Sequence, residues 1–160
     1  MEEIPLTVYR HRGHYDDNAR CHPRNLLDKK GTETRYVDTY PAVGDWITFK
    51  IESPFIVIPK AVIILTSDGP LDGDALKSIS LSLSVDGDEF EDFAVIQDIH
   101  RDNEEEQYLN LKDVMLSNSR IWMKDYKYLK LTVIENWGNW KNIFYSFSLF
   151  GVLCSKSESE

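Results

Sequence analysis

Residues Ser78–Val85 read Ser-Ile-Ser-Leu-Ser-Leu-Ser-Val, an alternation of apolar and small polar side chains without a fault. Successive side chains leave opposite faces of an extended backbone, so a period of two means a strand with one buried face. Asp86-Gly87 follows and predicts a tight turn, with Phe90–Ile99 as the returning partner. A chain with such a hairpin near its middle must supply further strands to cover the buried face.

It does. Asp45–Ile51 sets Ile47, Phe49 and Ile51 on one face and Trp46, Thr48 and Lys50 on the other. Ala61–Leu65 is a continuous apolar run, as expected of a central strand. Tyr108–Leu111 is short. Tyr128–Ile134 alternates, with Leu129, Leu131 and Val133 inward, and Ile143–Val152 is a long closing strand. Turn residues separate these runs at Pro41–Gly44, Ser53-Pro54, Ser67–Pro70, Asp72-Gly73, Asp86-Gly87 and Gly138. Asp113–Trp122 suits a short helix or an irregular crossover. The expected architecture is all-β: an eight-stranded antiparallel jelly-roll β-sandwich over residues 1–153, followed by a polar, disordered tail over 154–160.

Composition bounds the function. With 160 residues, 42% of them hydrophobic, the chain can bury one good core. A formal net charge of −9 repels phosphate backbones and anionic headgroups, which argues against nucleic-acid and membrane partners. Cys21 and Cys154 are too few for a disulfide scaffold; they can pair if the termini lie close, or stay reduced. The start, MEEIPLTVYR, is acidic and carries no apolar signal region, so a cytoplasmic or nuclear setting with reduced thiols is expected.

One stretch goes beyond generic strand reading. Pro23-Arg24-Asn25-Leu26-Leu27-Asp28 is followed by Gly31, Thr34 and Tyr36, then by Trp46-Ile47-Thr48-Phe49. This resembles the opening of discoidin-like domains, also called F5/8 type C domains. Lys127-Tyr128-Leu129-Lys130-Leu131, Glu135-Asn136-Trp137-Gly138 and Phe144–Gly151 resemble the last strands and final loop of the same family. The resemblance runs from about Tyr9 to Val152 and implies a galactose-binding-like sandwich whose ligand is held by loops at one end. The absent signal region points to the intracellular branch, which includes muskelin and Doc1 domains. A second resemblance, to the PITH domain, covers the chain from Asp45 onward without the Asn25–Asp28 turn.

By position the binding loops would be Arg10–Arg24, Thr34–Gly44, Thr66–Ala75 and Glu135–Asn142. They supply the ligand-binding candidates His14, Arg35, Tyr36, Tyr40, Trp137, Asn139 and Trp140. Trp, Tyr and Arg give large contact area with a polar handle, the usual anchors of a recognition surface. The reading is a non-catalytic module for protein or peptide recognition, an adaptor or substrate-recognition domain. The alternative is a carbohydrate-binding domain that stacks a sugar on Trp137 or Trp140, with Arg35, His14 and Asn139 bonding hydroxyls.

No other chemistry is called for. Related domains often hold a structural calcium at the Asn25–Asp28 turn, and Asp28 and Thr34 match its ligands. Ser146 and Ser148 stand where the family would place an acid, and an Asp that only caps the turn accounts for the pattern. His11, His14, Cys21 and His22 carry zinc-ligand types at a spacing that fits no standard pair of couples. Asp68, Asp72 and Asp74 lack the order of a calcium-binding loop. No Gly-x-Ser-x-Gly elbow exists, and Cys21 and His22, adjacent in sequence, would point apart on a strand. No cofactor is implied.

Overall fold

The computed structural model describes residues 1–12, 22–28, 36–38, 44–65, 76–99, 106–116, 124–136 and 142–155. The strands are β1 (Glu2–Glu3), β2 (Leu6–Arg12), β3 (Tyr36–Asp38), β4 (Trp46–Ile51), β5 (Ile56–Leu65), β6 (Leu76–Ser84), β7 (Glu91–Ile96), β8 (Gln107–Asn110), β9 (Tyr128–Asn136), β10 (Asn142–Phe144) and β11 (Ser146–Cys154). Short 3₁₀ turns cover Pro23–Leu27 and Leu111–Asp113. Among the described residues nine strands form the sandwich: a four-stranded sheet ordered β1-β11-β5-β8 and a five-stranded sheet ordered β2-β4-β9-β6-β7. The other two, β3 and β10, pair as a ribbon. Every pairing is antiparallel, as the alternating sequence requires.

The register explains the core. Ile47, Leu131, Leu81 and Ala94 stand side by side across β4, β9, β6 and β7, and Phe49, Leu129 and Leu83 form the next row. All seven are buried. The facing sheet supplies Val62 and Ile64 from β5 and Phe147 and Leu149 from β11. Between the sheets the rings of Phe49 and Phe147 lie nearly parallel, 5.5 Å apart. Each such side chain contributes roughly 1.5–3 kcal/mol by leaving water.

The structure departs from the sequence reading in instructive places. The serines of β6 were expected at the solvent face, yet Ser78, Ser82 and Ser84 are buried. Each hydroxyl donates to a carboxylate, on Glu135, Asp92 and Asp86 respectively, so their burial leaves no donor unmet. β5 begins at Ile56, not Ala61, and contains Pro59, a residue rarely found inside a sheet. A bulge in the pairing with β11 accommodates it: Gly151 pairs with Pro59 and Phe150 with Ala61, leaving Lys60 over. The long closing strand is two strands, β10 and β11, divided at Tyr145, whose N–H bonds Leu65 O instead.

Candidate functional site

The two ends of the sandwich are built differently. At one end β4 passes into β5 through residues 52–55, and β6 into β7 through residues 85–90. At the other end the described segments stop at Arg12, Asp38, Leu65, Ile99 and Asn136 and resume at Gly44, Leu76, Glu106 and Asn142. The register places these stops together. Arg12 pairs with Trp46, Leu76 with Asn136, Leu65 with Ser146 and Asp38 with Asn142. The segments in which the recognition loops were predicted therefore depart from and return to one end.

The frame at that end is firmly tied. Gly44 turns the chain into β4 with φ +93°, a left-handed conformation. Its N–H bonds Val133 O, and Val133 N–H bonds Asp45 O. The Asp45 side chain is buried, with the Arg12 guanidinium 3.4 Å away and largely exposed. The rings of His11 and His22 meet edge to face at 5.2 Å, bringing the start of the Pro23–Leu27 turn against the end of β2. His22 also accepts the N–H of Arg24 through Nδ1, which makes it the cap of that turn. Trp46 is half-buried on the outer face of β4, with the Lys130 ammonium 4.8 Å from its ring centre.

Of the predicted site residues, Tyr36 falls in β3 opposite Phe144. His14, Arg35, Tyr40, Trp137, Asn139 and Trp140 lie outside the described residues, as does the metal candidate Thr34. Asp28 is exposed and ends the 3₁₀ turn by donating its backbone N–H to Asn25 O. Ser146 and Ser148 are both buried on β11. Of the four zinc candidates His11 and His22 come together, while His14 and Cys21 are outside the described residues. Among the described residues no group of three or more His, Cys, Asp or Glu is placed to hold a metal ion. Cys154 is a free cysteine, and the acidic loop with Asp68, Asp72 and Asp74 lies outside the described residues. Sequence reasoning missed the Arg12–Asp45 pair, because nothing in the local pattern marks Asp45 as buried.

No sequence-family model matches the chain, and no curated protein sequence matches it. Solved structures do match in shape. The C-terminal domain of a chitobiase from Bacteroides fragilis superposes with a TM-score of 0.68 at 14% identity, over 94% of this chain and 95% of that one. An F5/8 type C domain from the same organism gives 0.67 at 14%, over 90% and 89%. The fold is galactose-binding-like. A third match is a family 32 carbohydrate-binding module of Clostridium perfringens, in complex with GalNAc-β-1,3-galactose. It gives 0.64 at 16% identity, over 92% of this chain and 94% of that one. The all-β, galactose-binding-like fold implied by the sequence resemblance is the one that forms.

Proposed function

We propose that this galactose-binding-like domain is a non-catalytic carbohydrate-binding module that takes its sugar at the loop end of the sandwich. The observation that carries this is the convergence of the strand termini around 13–21, 39–43, 66–75 and 137–141 on one end. The sugar complex of the similarly folded Clostridium perfringens module supports it. The sugar would stack on Trp137 or Trp140, with Arg35, His14 and Asn139 bonding its hydroxyls and Tyr36 and Tyr40 at the margin. Flat aromatic rings suit the apolar face of a pyranose, and Arg, His and Asn offer directional donors for its hydroxyls. Recognition of a protein, including the adaptor role suggested by the intracellular branch, would use the same loops and aromatics.

The test is tryptophan fluorescence of the purified domain titrated with galactose, N-acetylgalactosamine, N-acetylglucosamine and disaccharides built from them. The expected result is a saturable shift for at least one sugar, lost in a folded Trp137→Ala/Trp140→Ala variant. If none of these sugars moves the signal while a peptide or protein does so through the same tryptophans, the module recognises protein and the carbohydrate reading is wrong.

A further inference from the structure

The outer face of the four-stranded sheet carries a second concavity, away from the loop end. It is a half-open groove of about 590 Å³ that crosses the sheet from β1 to β8. Ile58 and Pro59 of β5 form part of its lining. Of the eight large apolar side chains that the described surface leaves exposed, four line this one groove: Met1, Tyr108, Met115 and Val152. Scattered apolar residues on a surface need no explanation, but half of them gathered in one hollow do.

Its charge is as selective as its apolar lining. Among the described residues, Lys60 and Lys112 line the groove and no carboxylate does. In a chain of net charge −9 that is a local reversal of sign. Several cations elsewhere on the described surface are engaged. Lys50, Lys124 and Lys127 each have a carboxylate within 4.0 Å, and Lys130 lies over the Trp46 ring. Lys60 and Lys112 have neither kind of partner among the described residues. Both are exposed, so their ammonium groups stand in water at the rim of an apolar hollow.

We infer that this groove binds a small amphipathic anion, an aliphatic carboxylate whose chain lies over Ile58, Pro59 and Val152 and whose head meets Lys60 and Lys112. The volume lies within the roughly 300–1,000 Å³ of small-ligand sites. A stable protein interface draws on about 20–30 residues a side, whereas nine described residues line this groove. The two methionines suit an occupant without fixed shape, since their unbranched thioether chains repack readily. The site is independent of the sugar reading: it lies on a different surface and uses none of the same residues.

The probes are decanoate and decyltrimethylammonium, equal in chain length and opposite in charge, each kept below the concentration at which it self-associates. Backbone amide shifts of the whole domain report where each binds. Decanoate is expected to saturate, moving amides of residues 58–60, 108–115 and 152, and to bind about tenfold more tightly than the cation, as two exposed charge contacts allow. In Lys60→Glu/Lys112→Glu the preference should invert, with the melting temperature nearly unchanged because both side chains are exposed. Tyr108→Ala should weaken both probes alike. The inference is overturned if decanoate fails to saturate, if the two probes bind equally to the wild type, or if the charge-reversed variant keeps the original preference. It is also overturned if the shifts appear at the loop end, or if sedimentation shows a dimer that Val152→Asp dissolves, since the groove would then belong to a second copy.

Discussion

The two ends of the sandwich solve opposite problems. At the turn end the chain reverses within a few residues and its own side chains close the backbone. Asp86 Oδ1 accepts the N–H groups of Asp88 and Glu89, and Ser84 Oγ accepts that of Gly87. Lys127 reaches across to Ser53 O at 2.7 Å, tying the start of β9 to the turn between β4 and β5. At the loop end Gly44, Asp45 and Arg12 tie the described strand termini, and the segments between them carry Trp137, Trp140, Tyr40, Arg35 and His14 in the sequence. One end spends its polar groups on itself. The other has a fixed frame, and the residues proposed to hold a ligand lie in the segments between its strand termini, the usual division between scaffold and binding loop. The difference predicts that stability and binding can be changed separately.

The substitution with the largest expected effect breaks both ends together. Gly151 lies on β11 between Ser146 at the loop end and Cys154 at the turn end. A Cβ added there would stand 2.5 Å from Ile58 O, a backbone atom held by the sheet. Gly151→Ala should therefore force β5 and β11 apart and cost about 3 kcal/mol, at the upper end of overpacking penalties. Denaturant unfolding measures it. A loss below about 1 kcal/mol would show that the bulge at Pro59 absorbs the strain.

A smaller pair of substitutions compares the ends directly. Gly87 at the turn end and Gly44 at the loop end both have left-handed φ, +88° and +93°. Alanine in that conformation costs roughly 1 kcal/mol by itself. At Gly44 nothing lies within 4 Å of the added Cβ, so Gly44→Ala should cost only that. At Gly87 the Cβ would meet the rings of Tyr128 at 3.2 Å and Tyr9 at 3.3 Å, which pack on each other. Gly87→Ala should cost about 2 kcal/mol, the backbone term plus displacement of those rings. Sugar affinity should stay unchanged in Gly87→Ala and fall in Gly44→Ala, which sits in the frame of the loops. Equal effects on both properties would end the distinction between the ends.

How much of this was legible beforehand follows from range. The Ser78–Val85 alternation, the Asp86-Gly87 reversal and the Leu129–Val133 face are local patterns: β6 and β9 form there, and Gly87 takes a left-handed φ in the connection 85–90. β3 was missed because its three residues carry no period, and their partners at 142–144 are about a hundred positions away. The first half of β5 was hidden by Pro59, which sits at a bulge in the pairing with β11, opposite Gly151. The buried serines were misplaced because alternation gives the face of a side chain, while the longer neighbours on that face decide its burial. For the candidate site, the sequence supplied the types of residue. The convergence of the strand ends came from register, and the groove from Lys60, Tyr108, Lys112 and Val152, which no motif connects.

The smallest expected effect sharpens the account of the turn end. The Tyr126 hydroxyl, at the edge of the core, donates to one oxygen of Glu91 while Lys124 holds the other at 2.7 Å. Lys124 and then Tyr126 hold the Glu91 carboxyl below the ordinary carboxylate range, and burial with the same hydrogen bond pushes the Tyr126 phenol well above its own. A carboxylate with a depressed folded pKa stabilises the fold above its unfolded value, and that contribution is lost as pH falls through the folded one. Tyr126→Phe removes one of the two donors, so Glu91 should titrate closer to its unfolded value. At pH 7 the variant should be less stable by about 1 kcal/mol, the net worth of one hydrogen bond. The gap to wild type should narrow as pH falls through and below the ordinary carboxylate range, because the wild type then loses an advantage that the variant lacks. Urea unfolding of both proteins across that range measures it. A gap that stays constant with pH would mean that the Tyr126 hydroxyl does not hold the Glu91 carboxyl down and that Lys124 alone accounts for it.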